Sequence, residues 1–181
     1  MKKNNSGFSL VELIVVVLIM AIVAVALAPQ VMKWVENSRI ASDLETRTNI
    51  ENNCILAITD ENAFNLVKDG GYEIIITKPL SGPVEFEYRE NPGAAGAPPI
   101  RYFNGNRPNA TTNYFWKSFL KIGGFADFAD FEDEVTIKSS PTGNPIVLHV
   151  YVYQGGHTFS ELSGTISGDV NVTNNSSAAD T

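Results

Sequence analysis

Apolar and polar positions follow three rhythms along this chain. Leu13 to Ala28 is an unbroken run of 16 apolar residues, and from Phe8 to Ala28 only Ser9 and Glu12 interrupt it. As a helix, those 21 residues extend about 31 Å, close to the roughly 30 Å hydrocarbon thickness of a bilayer. From Gln30 the pattern turns amphipathic. No Gly or Pro occurs between Lys33 and Ile58, and Ile40, Leu44, Ile50, Cys54, Ala57 and Ile58 recur at helical spacing. Glu36, Arg39, Asp43, Arg47 and Glu51 cover the other faces, with Glu36–Arg39 and Asp43–Arg47 spaced as ion pairs. The pattern predicts one helix over Ser9–Ile58. Its first half suits lipid, and its second half has an apolar stripe that needs cover.

The third rhythm is of period two. Asp60-Glu61-Asn62 can cap a short helical turn through Val67, and Asp69-Gly70-Gly71 breaks the chain. Strands are predicted at Tyr72–Thr77, around Val84, Phe86 and Tyr88, at Val135 and Ile137, and strongly at Ile146, Leu148, Val150 and Val152. A weaker last strand contains Ile166, Gly168, Val170 and Val172. Asn91–Pro99 and Tyr102–Tyr114 read as loops, and Tyr114–Ile122 as a short helix or an edge strand. One long helix followed by strands predicts an α+β fold, with the helix packed on a small antiparallel sheet.

Glu12 decides how the apolar run is read. A secretory signal has a shorter apolar core, and Pro29 directly after Ala26-Leu27-Ala28 suits no cleavage there. A plain single-pass anchor explains the length but not a carboxylate in an apolar segment, which costs about 2.5–3.5 kcal/mol at mid-bilayer and less near the interface. No Lys, Arg or His lies in the run to pair with it. Cutting between Gly7 and Phe8 creates a new cation, the α-amine of Phe8, one helical turn from Glu12. Pairing Glu12 with that amine on a neighbouring copy neutralises both charges and sets an axial offset between subunits.

The leader MKKNNSG followed by FSLVELIVVVLIMAI closely resembles the processing site and first helix of the type IV pilin superfamily, over Lys2–Met32. The resemblance implies cleavage after Gly7 by a prepilin peptidase, N-methylation of Phe8, an assembly role for Phe8 and Glu12, and a helix kink at Pro29 that permits local melting. It divides the chain into a leader (1–7), an N-terminal helix (8–58, membrane-spanning to about 28), a β-rich head (59–173) and a flexible tail (174–181). Ala21, Ala24 and Ala28 share one face, where small side chains allow close helix approach.

Charge and cysteine usage narrow the rest. The formal charge of −7 and the lack of a basic run after Lys3 argue against nucleic-acid binding. Cys54 is the only cysteine, so no intramolecular disulfide forms, and its place on the apolar stripe suits a small buried hydrophobe. This departs from pilins with a C-terminal cysteine loop. Lys2 and Lys3 ahead of the run predict a cytoplasmic N-terminus and an exported remainder.

Chemistry is sparse. Asp127, Asp130 and Asp133, in FAD-FAD-FED, are oxygen ligands of the kind calcium takes, but EF-hand spacing is absent and an amphipathic turn with Phe125, Phe128 and Phe131 inward explains the period. His149 and His157 have no partners legible in the sequence. No nucleophile elbow or phosphate loop occurs, so neither an enzyme nor a cofactor is expected. Asn109-Ala110-Thr111 and Asn171-Val172-Thr173 match the glycosylation sequon. Tyr114, Phe115, Trp116, Tyr151 and Tyr153 are candidate exposed aromatics.

The expected function is structural. The chain reads as a type IV pilus subunit for adhesion or motility, inserted in the cytoplasmic membrane and then polymerised at the cell surface. The expected partners are copies of itself, other pilins, the peptidase and the assembly machinery. The alternatives are a pseudopilin of type II secretion or DNA uptake, and a membrane-anchored extracellular binding protein.

Overall fold

The computed structural model describes residues 9–91, 98–103, 105–153, 155–166, 170–171 and 174–176. The chain divides into two units, Met1–Ser38 and Arg39–Thr181. Helix α1 (Leu10–Ala57) belongs to both and is continuous through Pro29. In the first unit its described apolar side chains are exposed all round, as a helix built for lipid requires.

In the second unit the elements after α1 are α2 (Glu61–Asp69), β1 (Gly71–Lys78), β2 (Glu85–Asn91), β3 (Ile100–Phe103), α3 (Tyr114–Gly123), α4 (Phe128–Glu134), β4 (Ile146–Val152), β5 (Thr158–Ser163), β6 (Thr165–Ile166), β7 (Val170–Asn171) and β8 (Asn174–Ser176). The main sheet has the order β3-β2-β1-β4-β5-β8, and its ladders are all antiparallel. The architecture is α+β.

Register sorts the side chains. Ile74 pairs with Tyr88 and Val150, and Ile76 with Phe86 and Leu148. These even-numbered positions point into the core, where Ile50, Cys54 and Ala57 of α1 pack with Trp116 and Phe119 of α3 and with Phe128 and Phe131 of α4. Glu73, opposite Arg89 and Tyr151, starts the odd-numbered outer face. The stripe on the second half of α1 is thus covered by the head, and Cys54 is fully buried on it.

Several elements differ from the sequence expectation. Val135–Lys138 is no strand: Val135 ends α4, and the N–H groups of Lys138 and Ser139 donate to the Asp43 carboxylate at 2.7 and 2.9 Å. A side chain takes the donors that a ladder partner would otherwise take. Tyr102 and Phe103 lie in β3 rather than a loop, held by pairing with β2. β5 is unexpected because its inward positions include Thr158 and Ser160, which mask the apolar alternation. The expected last strand is instead a two-stranded ribbon of β6 and β7, with Gly168 and Val172 outside the described residues. Asn174–Ser176, in the expected tail, pair with β5 as β8.

Candidate functional site

The processing residues Gly7 and Phe8 lie outside the described residues. Just beyond them, Ser9 precedes α1, and Glu12 Oε2 accepts the Ser9 N–H at 2.9 Å. This is one half of a capping box, in which a carboxylate in the first helical turn satisfies a backbone donor with no intrahelical partner. The negative charge also faces the positive end of the helix dipole. Ser9-Leu10-Val11-Glu12 carries the S-x-x-E signal for this cap, which the hydropathy pattern overshadows. Glu12 therefore has a local role in the uncut chain, and a plain anchor is no longer at odds with it. The carboxylate stays exposed on the first half of α1, where the residues up to Pro29 are otherwise apolar. Pro29 stands inside α1 and contributes no N–H to the ladder.

In the head, the acidic Phe-rich segment is a capped helix. Asp127 Oδ1 accepts from the N–H groups of Ala129 and Asp130 at 2.7 and 3.0 Å, and Asp130 Oδ2 accepts from Ala126 N–H at 2.8 Å. Phe128 and Phe131 are buried, Phe125 packs against them, and Asp133 is exposed. Among the described residues no group of three or more His, Cys, Asp or Glu is placed to hold a metal ion.

α3 resolves the choice left open at Tyr114–Ile122 in favour of a helix. Asn113 caps it by accepting from Phe115 and Trp116 N–H, and Gly124 closes it in the left-handed conformation. Phe115 and Trp116 are fully buried, which corrects their reading as exposed aromatics; Tyr114 and Tyr153 do stand exposed. Trp116 Nε1 donates to Glu90 at 2.6 Å, which gives a buried indole its required acceptor.

The outer sheet face carries a charged network. Arg89 bridges Glu73 at 3.0 Å and Glu87 at 2.7 Å, and Arg101 reaches Glu87 at 2.6 Å. The His149 ring, the Asn91 amide and the Arg89 charge hold the Glu73 carboxyl below its ordinary range against the effect of burial. The His149 ring faces that carboxylate, with its Nε2 3.5 Å from Glu73 Oε2. Burial opposes ionisation of Glu87, yet hydrogen bonds from Arg101 and Arg89 outweigh it and lower that carboxyl as well. His157 is exposed beside the Gly155-Gly156 turn. Asn109 Oδ1 accepts from both the N–H and the hydroxyl of Thr111, so the first sequon forms a local turn.

Asp43, which the sequence pattern places on a polar face of the helix, is buried in the fold. It is 1% exposed, its oxygens also accept the Ser139 hydroxyl, and it fixes α1 to the 138–139 segment. Its place opposite Arg47 in sequence suggested a surface pair instead.

No curated protein and no solved structure matches the chain. One family model does, described as the prokaryotic N-terminal methylation motif, over residues 2–28. The motif is that of a structural, generally non-enzymatic family, and it implies processing by a prepilin peptidase and polymerisation with pilin-type subunits. With the long apolar helix, it fits a membrane-anchored precursor. Residues 2–28 thus carry the prokaryotic N-terminal methylation motif, the signature of type IV pilin and pseudopilin precursors.

Proposed function

We propose that the chain is a structural subunit of a type IV pilus serving adhesion or motility. A prepilin peptidase cuts after Gly7, Phe8 is N-methylated, and α1 mediates polymerisation. The observation that carries this reading is the methylation motif running into α1, whose residues from Leu10 to Pro29 are apolar on every side except at Glu12. A helix of that kind satisfies its own backbone and can pass from lipid to a bundle of like helices with little change of environment.

Residues 1–7 are the leader, 8–58 the helix and 59 onward the head, with Asn174–Ser176 joined to its sheet as β8. After cleavage the Glu12 carboxylate leaves its cap on Ser9 and pairs with the methylated amine of Phe8 on a neighbouring copy. Pro29, which lacks an N–H, is where α1 unwinds on assembly. Removing Lys2 and Lys3 leaves 11 cations against 20 anions, a formal side-chain charge of −9. The heads therefore repel mildly, and burial of the helices supplies most of the cohesion.

Mass spectrometry of the native protein tests the processing step. The expected mature chain begins at Phe8 with one N-terminal methyl group. A chain beginning at Pro29 identifies an exported soluble protein, and an intact Met1 terminus in cells that hold the peptidase identifies a plain anchor. Shearing those cells then tests the filament class. Long fibres containing the subunit support the pilus, whereas lost export of other proteins on deletion, without such fibres, identifies a pseudopilin.

A further inference from the structure

The head of this acidic chain carries a groove with two cations that meet no carboxylate among the described residues. It is an open groove of about 830 Å³, formed by residues 107–111, α3 and residues 125–129. Leu120, Phe125 and Phe128 supply its apolar floor, and Lys117 and Lys121, one turn apart on α3, line its side. Among the described residues neither lysine pairs with a carboxylate; Lys117 lies over the Tyr114 ring at 5.9 Å. Two other charges of the lining are already engaged. Arg107 is bound to Glu132 at 2.6 Å, and Asp127 caps α4.

A complementary feature stands on the other side of the sheet. Phe103 pairs with Glu87 on the outer face, opposite the helix layer, and is 52% exposed. Glu85 lies two residues along β2 on that same face, is exposed, and borders a small cleft with Phe103. An exposed ring beside an exposed carboxylate matches an apolar floor beside these ammonium groups.

We propose that the groove of one head receives the Phe103–Glu85 corner of a second copy, with Phe103 on the floor and Glu85 paired with Lys117 and Lys121. The occupant is a second copy because the contact is charge-complementary between surfaces that the same chain carries. The two surfaces lie on opposite faces of the head, so the contact is heterologous and propagates instead of closing into a dimer. That suits a polymer whose heads otherwise repel, and it gives them orientation where helix burial is non-directional. This inference rests on the polymeric reading above.

Cysteine cross-linking in fibres sheared from cells tests it. Cys54 is fully buried, so background reaction is low. The full chain carrying K121C and E85C, treated with a short bis-maleimide, is expected to yield a ladder of covalent multimers. K121C alone, E85C alone, and K121C with E61C are expected to yield none. Separately, K117E/K121E is expected to lower fibre yield roughly tenfold by placing like charges together, and adding E85K is expected to restore it. Fibres that form normally yet give no K121C–E85C ladder, or the same ladder from the E61C pair, overturn this contact and leave the polymer reading intact. Cross-links to a different protein in place of a self-ladder also overturn it. Failure of the unaltered chain to form any polymer overturns both.

Discussion

At the scale of single residues, carboxylates set the character of this molecule, and they do so by position. Asp43 is buried and accepts three hydrogen bonds from Lys138 and Ser139. Replacing it with Ala strands the buried N–H of Ser139 and the partly buried N–H of Lys138. The head of Asp43→Ala is expected to lose about 2–4 kcal/mol, since bonds to a charged group and the desolvation of orphaned donors both count. Urea unfolding of the full chain in detergent micelles measures this, and a loss under about 0.5 kcal/mol, the size of an ordinary surface substitution, contradicts the buried-clasp role. Glu73 and Glu87 act through pH. Both titrate lower in the folded head than in the unfolded chain. Their stabilisation is therefore complete above the unfolded carboxyl value of about 4.3 and is lost as pH falls through their folded values. Glu73→Gln is expected to flatten the acid limb of the stability curve below pH ~4.3 relative to wild type. An acid limb of unchanged slope rules out that assignment. Tyr72 is the opposite case: burial pushes its hydroxyl up to about 12 despite its bond to Asn113, with Glu90 adding to the effect.

At the scale of elements, α3 organises the head core. Its inward positions, Phe115, Trp116, Phe119 and Leu120, are all buried, and Trp116 meets Tyr72, Tyr88, Phe119 and Phe128 edge-on. Edge contacts of this kind add to area burial because ring edges and faces carry opposite charge. Trp116→Ala is expected to cost about 3–5 kcal/mol, through a cavity and the loss of the Trp116–Glu90 hydrogen bond. Asn113→Ala, which removes the cap and the bonds to Tyr72 and Glu90 but no core volume, is expected to cost about 1–2 kcal/mol. Differential unfolding of the two variants tests the ranking, and an equal or reversed order shows that the Asn113 hydrogen bonds, and not the aromatic cluster, dominate. Strand boundaries follow the same logic. Gly164, with φ of 143°, ends β5 where an added Cβ meets Ile146 Cα and Pro145 O at 2.9 Å. Only glycine fits both the dihedral and the space.

At the scale of the whole molecule, two variants of Glu12 separate its observed cap on Ser9 from its proposed pairing between subunits after cleavage. Glu12→Gln keeps an acceptor for the Ser9 N–H and removes the charge, whereas Glu12→Ala removes both. If charge pairing between subunits drives assembly, both variants are expected to insert in the membrane and both to lose most of their fibre yield. If the cap is what matters, Glu12→Gln assembles like wild type. Immunoblots of sheared fibres against membrane fractions separate the two outcomes. Undiminished yield from both variants contradicts any assembly role for this carboxylate.

The sequence by itself determined what rests on local periodicity. The long helix, the α2 cap at Asp60, β1, β2, the alternation of β4 and the inward face of the Phe triplet were all legible, because each repeats its apolar pattern over enough residues to show a period. The N-terminal motif was legible for a related reason: its residue types and spacing are contiguous. The tertiary structure alone decided whatever depends on a distant partner. Asp43 reads as a surface helix residue until the 138–139 segment, some 95 positions away, is folded against it. β3 has only four residues, and β5 buries Thr158 and Ser160 where a strand pattern expects apolar side chains. Phe115 and Trp116 could not be assigned to core or surface without the sheet that covers them. A groove whose lysines meet no carboxylate among the described residues is likewise a property of three segments together, since that depends on where distant carboxylates come to lie.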